Sequence, residues 1–175
     1  RRALATRARR TLALIGAMAI APISFFAGPP ADESEVVSFQ SKPIPLSPFK
    51  VRRARAKGIE LKPKPGPEVS AVLARPKLIG RRPAVVVLVS GDGLQDSHLS
   101  WGAKLAQWGY ASIVIDSFGS RGAKDFRDGI GPDMKADADA THTYLSGLDF
   151  VDSDRMALVG FSLGGTALLT LFTDQ

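Results

Sequence analysis

The chain has 175 residues, 45% of them hydrophobic, with no cysteine and a formal net charge of +6. The missing cysteine excludes disulfides, thiolate metal sites, a cysteine nucleophile and a lipid-bearing cysteine within this stretch. Five of the 23 basic residues precede Gly28 and no acid does, leaving 18 basic against 17 acidic residues, a balance that gives a nucleic-acid partner no support.

Residues 1–10 carry five arginines, and Thr11 to Ala27 is almost wholly apolar, broken by Pro22 and followed by Gly28-Pro29-Pro30-Ala31. A basic stretch, an apolar stretch and a small, breaker-rich exit describe a signal peptide over residues 1–27. Arg9-Arg10-Thr11-Leu12-Ala13 resembles a twin-arginine export motif, with Ala8 where a serine or threonine is usual. No clean A-x-A site follows, so an uncleaved N-terminal membrane anchor is the alternative. The run is short for a span and holds a proline, which favours removal. The expectation is an exported protein, periplasmic or secreted, that meets a membrane only through this leader.

Residues 28–56 read as a linker, rich in proline and serine at first and basic afterwards. The run Lys50, Arg52, Arg53, Arg55, Lys57 is read as a solvated face in preference to a contact with anionic lipid or polymer. Glu35 to Gln40 is a candidate short first strand. A domain is expected over 57–175, opening with two antiparallel strands, Lys57 to Leu61 and Val69 to Ala74, joined by the turn Lys64-Pro65-Gly66-Pro67.

Ala84 to Val89 is apolar at every position and rich in valine, the pattern of a strand covered on both faces in a parallel sheet. Ser90-Gly91-Asp92-Gly93 follows, then a helix over Ser97 to Trp108 with Leu99, Leu105 and Trp108 inward, closed by Gly109. Ala111 to Ile115 is a second buried strand. A second helix is expected over Asp133 to Ser146, with Met134, Ala138, Leu145 and Leu148 at helical spacing. Asp149 to Asp154 reads as the turn into a third strand. Alternating strands and helices of this kind predict an α/β fold, a doubly wound and mostly parallel sheet with antiparallel N-terminal edge strands.

That third strand, Arg155 to Val159, runs into Gly160-Phe161-Ser162-Leu163-Gly164 and then a helical stretch from Thr166 to Phe172. The frame G-x-S-x-G between a strand and a helix is that of a nucleophile elbow, in which serine sits at a strained apex and small residues on either side allow close packing. The alternative is a glycine-rich turn whose serine caps a helix. On the elbow reading Ser162 is the nucleophile, the backbone N–H of Leu163 is one oxyanion donor, and a second comes from the Gly91-Asp92-Gly93 loop, from Asp92 or Gly93.

The ordered series Pro83 to Gly91, Gly109-Tyr110-Ala111, Asp116-Ser117-Phe118-Gly119-Ser120-Arg121-Gly122, Tyr144-Leu145, Val151 to Arg155 and Gly160 to Gly165 resembles the dienelactone hydrolase-like branch of the α/β-hydrolases over about residues 57–175. The resemblance implies a hydrolase of carboxylic esters or related acyl compounds, working on a small-molecule substrate with no metal or organic cofactor. Dienelactone hydrolases carry cysteine at the elbow; Ser162 here points to an esterase-like member. The family often has His-Gly after the first central strand, where this chain has Ser90-Gly91.

In α/β-hydrolases the triad acid and histidine follow the nucleophile along the chain. Both histidines here, His98 and His142, precede Ser162. The base and acid are therefore expected beyond residue 175, and residues 1–175 alone are expected to be inactive. His98, beside the oxyanion loop, is read as a candidate substrate contact or a chemically idle helix-start residue. Arg121 is read either as a receptor for an anionic substrate group or as a loop-ordering salt bridge. His142 is read as a surface or packing residue, and the aspartates at 137, 139, 149, 152 and 154 as turn and helix chemistry in preference to metal ligands. Two other functions share the fold: a catalytically inactive binding protein, and an acyltransferase.

Overall fold

The computed structural model describes residues 34–43 and 46–173. The leader over 1–27 lies outside the described residues. Five strands form one mixed sheet in the order β1-β2-β4-β3-β5: β1 is Ser34–Gln40, β2 Glu68–Ala74, β3 Arg82–Leu88, β4 Ala111–Asp116 and β5 Val151–Gly160. β1 pairs antiparallel with β2 and β2 antiparallel with β4, while β3 lies parallel between β4 and β5. The sheet is thus evenly mixed, with two antiparallel and two parallel pairings, where a mostly parallel one was expected.

The helices are α1 (Pro48–Arg55), α2 (Asp96–Gln107), α3 (Met134–Ser146) and α4 (Leu163–Thr173), with 3-10 turns at Gly119–Arg121 and Phe126–Asp128. Period-two alternation sorts the central strands between two cores. Val85, Val87, Val89 and Val114 meet Leu105 of α2 on one face; Val86, Leu88, Ile113 and Ile115 meet Ala138 and Leu145 of α3 on the other. All of these are buried, which explains why β3 and β4 read as unbroken apolar runs.

Several sequence expectations change. Lys57 to Leu61 is not a strand; the strand before β2 that pairs antiparallel with it is β1. The segment read as a linker contains both β1 and α1; Lys50, Arg52, Arg53 and Arg55 are exposed on α1, where only Ala54 is buried, and Lys57 lies just beyond it. β5 begins at Val151, so the turn before it is shorter than the expected Asp149 to Asp154. Trp108 is 57% exposed and does not face inward.

Candidate active site

β5 carries the chain to the elbow along β3, with Val159 opposite Val87 and Gly160 opposite Leu88. The Phe161 N–H donates to the Leu88 carbonyl at 3.1 Å, extending the ladder by one residue. At Ser162 φ becomes +48°, and it is the one non-glycine residue with positive φ among the described residues. A serine held in that region costs about 1–3 kcal/mol and persists only where its surroundings enforce it. Here they do. α4 starts at the next residue, with Gly164 N–H donating to Phe161 O at 2.9 Å and Thr166 N–H to Ser162 O at 3.0 Å. The Ser162 side chain is left exposed at the carboxyl end of the parallel strands.

The glycines flanking Ser162 are required by close approach. A Cβ on Gly160 would fall 2.4 Å from the Gly164 carbonyl, and one on Gly164 would fall 2.6 Å from Leu88 O and 2.7 Å from Val89 O. All of these neighbours are main-chain atoms that cannot swing away. Strand, turn and helix are therefore packed backbone to backbone, and the loop after β3 lies against the start of α4. A Cβ on Gly91 would lie 3.8 Å from Leu163 Cβ.

That juxtaposition sets the loop after β3 beside the start of α4. Among the described residues the backbone N–H groups of Leu163 and Asp92 donate no hydrogen bond. The Gly93 N–H is engaged with Ser90 O at 3.1 Å, so of the two loop donors considered only Asp92 has its N–H to offer. Gly93 has a shaping role instead, at φ +75° with the Lys124 carbonyl closing off the space a side chain would fill.

The side chains of His98 and Arg121 are both engaged by other residues of the chain. His98 is 3% exposed; its Nδ1 accepts from Gln95 N–H at 3.1 Å within a capping box at the start of α2, and its Nε2 lies 3.4 Å from Ser90 N. Burial lowers its pKa, which keeps the ring neutral and able to accept. The ring also meets Phe161 edge to face at 5.1 Å between centroids. His98 thus sits between the oxyanion loop and the residue before Ser162, bracing both. Arg121 makes two hydrogen bonds to Asp137, at 2.8 and 3.0 Å, and a third to Ser117 O at 2.6 Å. It orders the loop after β4. His142 is exposed on α3.

Two features were not foreseen. Asp137 is fully buried and also accepts from Ser41 Oγ at 2.6 Å and Ser117 Oγ at 2.7 Å. The 3-10 turn over Phe126–Asp128 docks on the oxyanion loop: Phe126 N–H donates to Gly91 O at 2.9 Å, and Arg127 joins Asp125 at 2.9 Å to Asp92 at 3.4 Å. The guanidinium hydrogen-bonded to Asp125 holds that carboxyl below its ordinary value. The spacing Asp125 to Gly129, a turn-capping acid and a left-handed glycine, was the signal available in the sequence. Among the described residues no cluster of three or more histidine or acidic side chains could hold a metal.

No protein-family model matches the chain. A curated relative, a probable 2-oxo-3-(5-oxofuran-2-ylidene)propanoate lactonase from a Bradyrhizobium species, is 31% identical over 109 residues, covering 57% of this chain and 44% of its own. Among solved structures, the α/β hydrolase GrgF from Penicillium sp. sh18 superposes with a TM-score of 0.53 at 14% identity, over 79% of this chain and 40% of that one. A putative dienelactone hydrolase from Klebsiella pneumoniae has a TM-score of 0.49 at 22% identity, over 75% and 52%. The chain therefore spans about half the length, or less, of the proteins it matches. Its fold is that of the α/β-hydrolases, as the superposition on GrgF shows.

Proposed function

We propose that this chain belongs to an exported serine hydrolase that cleaves carboxylic esters, lactones among them, through an acyl-enzyme on Ser162. The observation that carries the reading is the positive φ of Ser162 between a strand and a helix packed on glycine. No packing gain at an exposed position compensates that strain, so presenting the hydroxyl is what accounts for it. The likeness to a lactonase supports lactones as one substrate class.

In this mechanism Ser162 Oγ adds to the substrate carbonyl while a histidine beyond residue 175, oriented by an acid, takes its proton. The carbonyl oxygen gains a negative charge and is met by the N–H groups of Leu163 and Asp92. Collapse breaks the bond to the leaving oxygen, which takes the proton back from the histidine as the alcohol departs or the lactone ring opens, and leaves the acyl group on Ser162. Water, deprotonated by the same histidine, then releases the acid. Losing one oxyanion donor typically costs about 10²–10³ in turnover. Leu163→Pro would delete one, but it would also alter the start of α4. Ser162→Ala is the cleaner test. Full-length protein should react with a fluorophosphonate probe and lose both labelling and ester turnover on Ser162→Ala; labelling that survives the substitution overturns the assignment.

A further inference from the structure

At the other end of the sheet lies a surface that the hydrolase reading does not use. The loop over residues 75–81 joins the end of β2 to the start of β3, on the side where β4 and β5 also begin. A seven-residue strand rises about 23 Å, so the length of β3 separates this loop from the elbow. With Asp149 and Phe150 the loop frames an open groove of about 780 Å³. At its tip Ile79 is 96% exposed and Leu78 56% exposed, next to Gly80 at φ +88°. Leu78 leans on Gly109, whose neighbour Tyr110 is exposed, while the Trp108 ring turns back along α2 against Trp101 and Lys104.

Single exposed apolar residues need no explanation, but this set has a composition and a charge. Arg75, Lys77 and Arg81 line the groove beside Asp149, with Arg75 over the Phe150 ring and Asp152 near enough to feel the charge of Arg81. Aliphatic side chains projecting from a turn, with a phenol ring and cations nearby, match the layers of an anionic bilayer surface. Aliphatic groups enter the acyl boundary, aromatic rings sit at the headgroups, and cations face the phosphates. A soluble polyanion would have no use for Leu78 and Ile79.

The path of the chain points the same way. Ser34 opens β1 opposite Ala74, so the sequence before residue 34 joins the domain at this end. The six residues 28–33 can reach at most about 20 Å. A retained leader would bring this end, and not Ser162, to the lipid.

We propose that the loop over 75–81 is a peripheral docking surface for an anionic phospholipid bilayer, with Leu78 and Ile79 inserted and Arg75, Lys77 and Arg81 facing the phosphates. The elbow then opens away from the membrane. The test is cosedimentation of the full-length protein with phosphatidylglycerol–phosphatidylcholine vesicles and with pure phosphatidylcholine vesicles. Wild type should prefer the anionic vesicles, and added salt should weaken the preference. Leu78→Asp with Ile79→Asp should lower partitioning at least about tenfold, and Lys77→Gln and Arg81→Gln about fivefold each. None of these exposed changes should alter thermal unfolding or fluorophosphonate labelling in solution. The proposal is overturned if wild type does not bind, if it binds both vesicles equally, or if the paired aspartate variant partitions like wild type, which would assign all binding to the leader.

Discussion

Ser162 can hold φ +48° because the atoms around it leave no room for another path. Gly164 shows how tight the constraint is. Alanine there would gain at most about 1 kcal/mol of helix propensity, but its methyl would sit 2.6 Å from Leu88 O. Overpacking of this kind costs about 1–3 kcal/mol where the neighbours can shift, and these are main-chain carbonyls of the central strand. Gly164→Ala should therefore destabilise by about 2 kcal/mol or more in urea titration, and it should abolish fluorophosphonate labelling by tilting the elbow. Gly165→Ala, whose methyl would meet Gly160 O at 3.2 Å, should cost less and retain labelling. The elbow was legible because glycine at 160 and 164 is a local requirement written in the residues themselves. Which loop N–H is left unpaired was not. Whether the N–H of Asp92 or that of Gly93 stays unpaired depends on how Ser90 turns back, and no spacing rule encodes that.

Among the elements, β3 and β4 were legible because burial on both faces leaves a run of valine and isoleucine that little else produces. α1 was not, because its helix is exposed around almost its whole circumference and so has no apolar stripe to read. Lys57 to Leu61 fails as a strand although it alternates weakly; the sheet position beside β2 is taken by Ser34–Gln40, whose Val37 and Phe39 pack against the core. The loop after β4 and helix α3 are joined by the most consequential contact missed, that of Asp137. Its carboxylate collects Ser41 from after β1 and Ser117 and Arg121 from the loop after β4, a convergence no local pattern announces. Asp137 is fully buried and the Arg121 side chain 12% exposed, so removing the acid strands a nearly dry cation. Asp137→Ala should cost about 3 kcal/mol, the lower end for breaking a buried pair because water reaches one face of Arg121. Equilibrium denaturation measures this directly. Arg121→Gln should also lower stability while leaving KM similar for charged and neutral esters. A rise in KM confined to anionic esters would return Arg121 to the substrate-binding role.

For the molecule as a whole, three environments set how stability follows pH. Burial lowers the His98 pKa from 6.5, so the unfolded chain takes up a proton before the folded one does. The contribution of the neutral ring is therefore complete above pH 6.5 and is lost as pH falls through the lower folded value. Asp125 and Asp152, held down by hydrogen bonds from Arg127 and Arg155, act in the same direction below 3.8, and more weakly, since both guanidinium partners are largely exposed. Tyr144 acts at the opposite end. It stacks on Phe39 at 5.1 Å, which ties β1 to α3, and burial followed by the charge of Glu35 raises its pKa above 10.0. Its contribution is complete below pH 10.0 and is lost as pH rises through the folded value. The thermal midpoint should thus be flat between roughly pH 7 and 9 and decline on both sides, with His98 contributing to the acid limb from near pH 6.5 downward. His98→Gln keeps a hydrogen-bonding side chain at the start of α2 but cannot be protonated. It should shift the whole curve downward yet remove the decline between pH 6.5 and 5. A decline of unchanged slope in that variant would mean that some group other than His98 governs acid stability, and that the neutral ring is not what holds the oxyanion loop against Phe161.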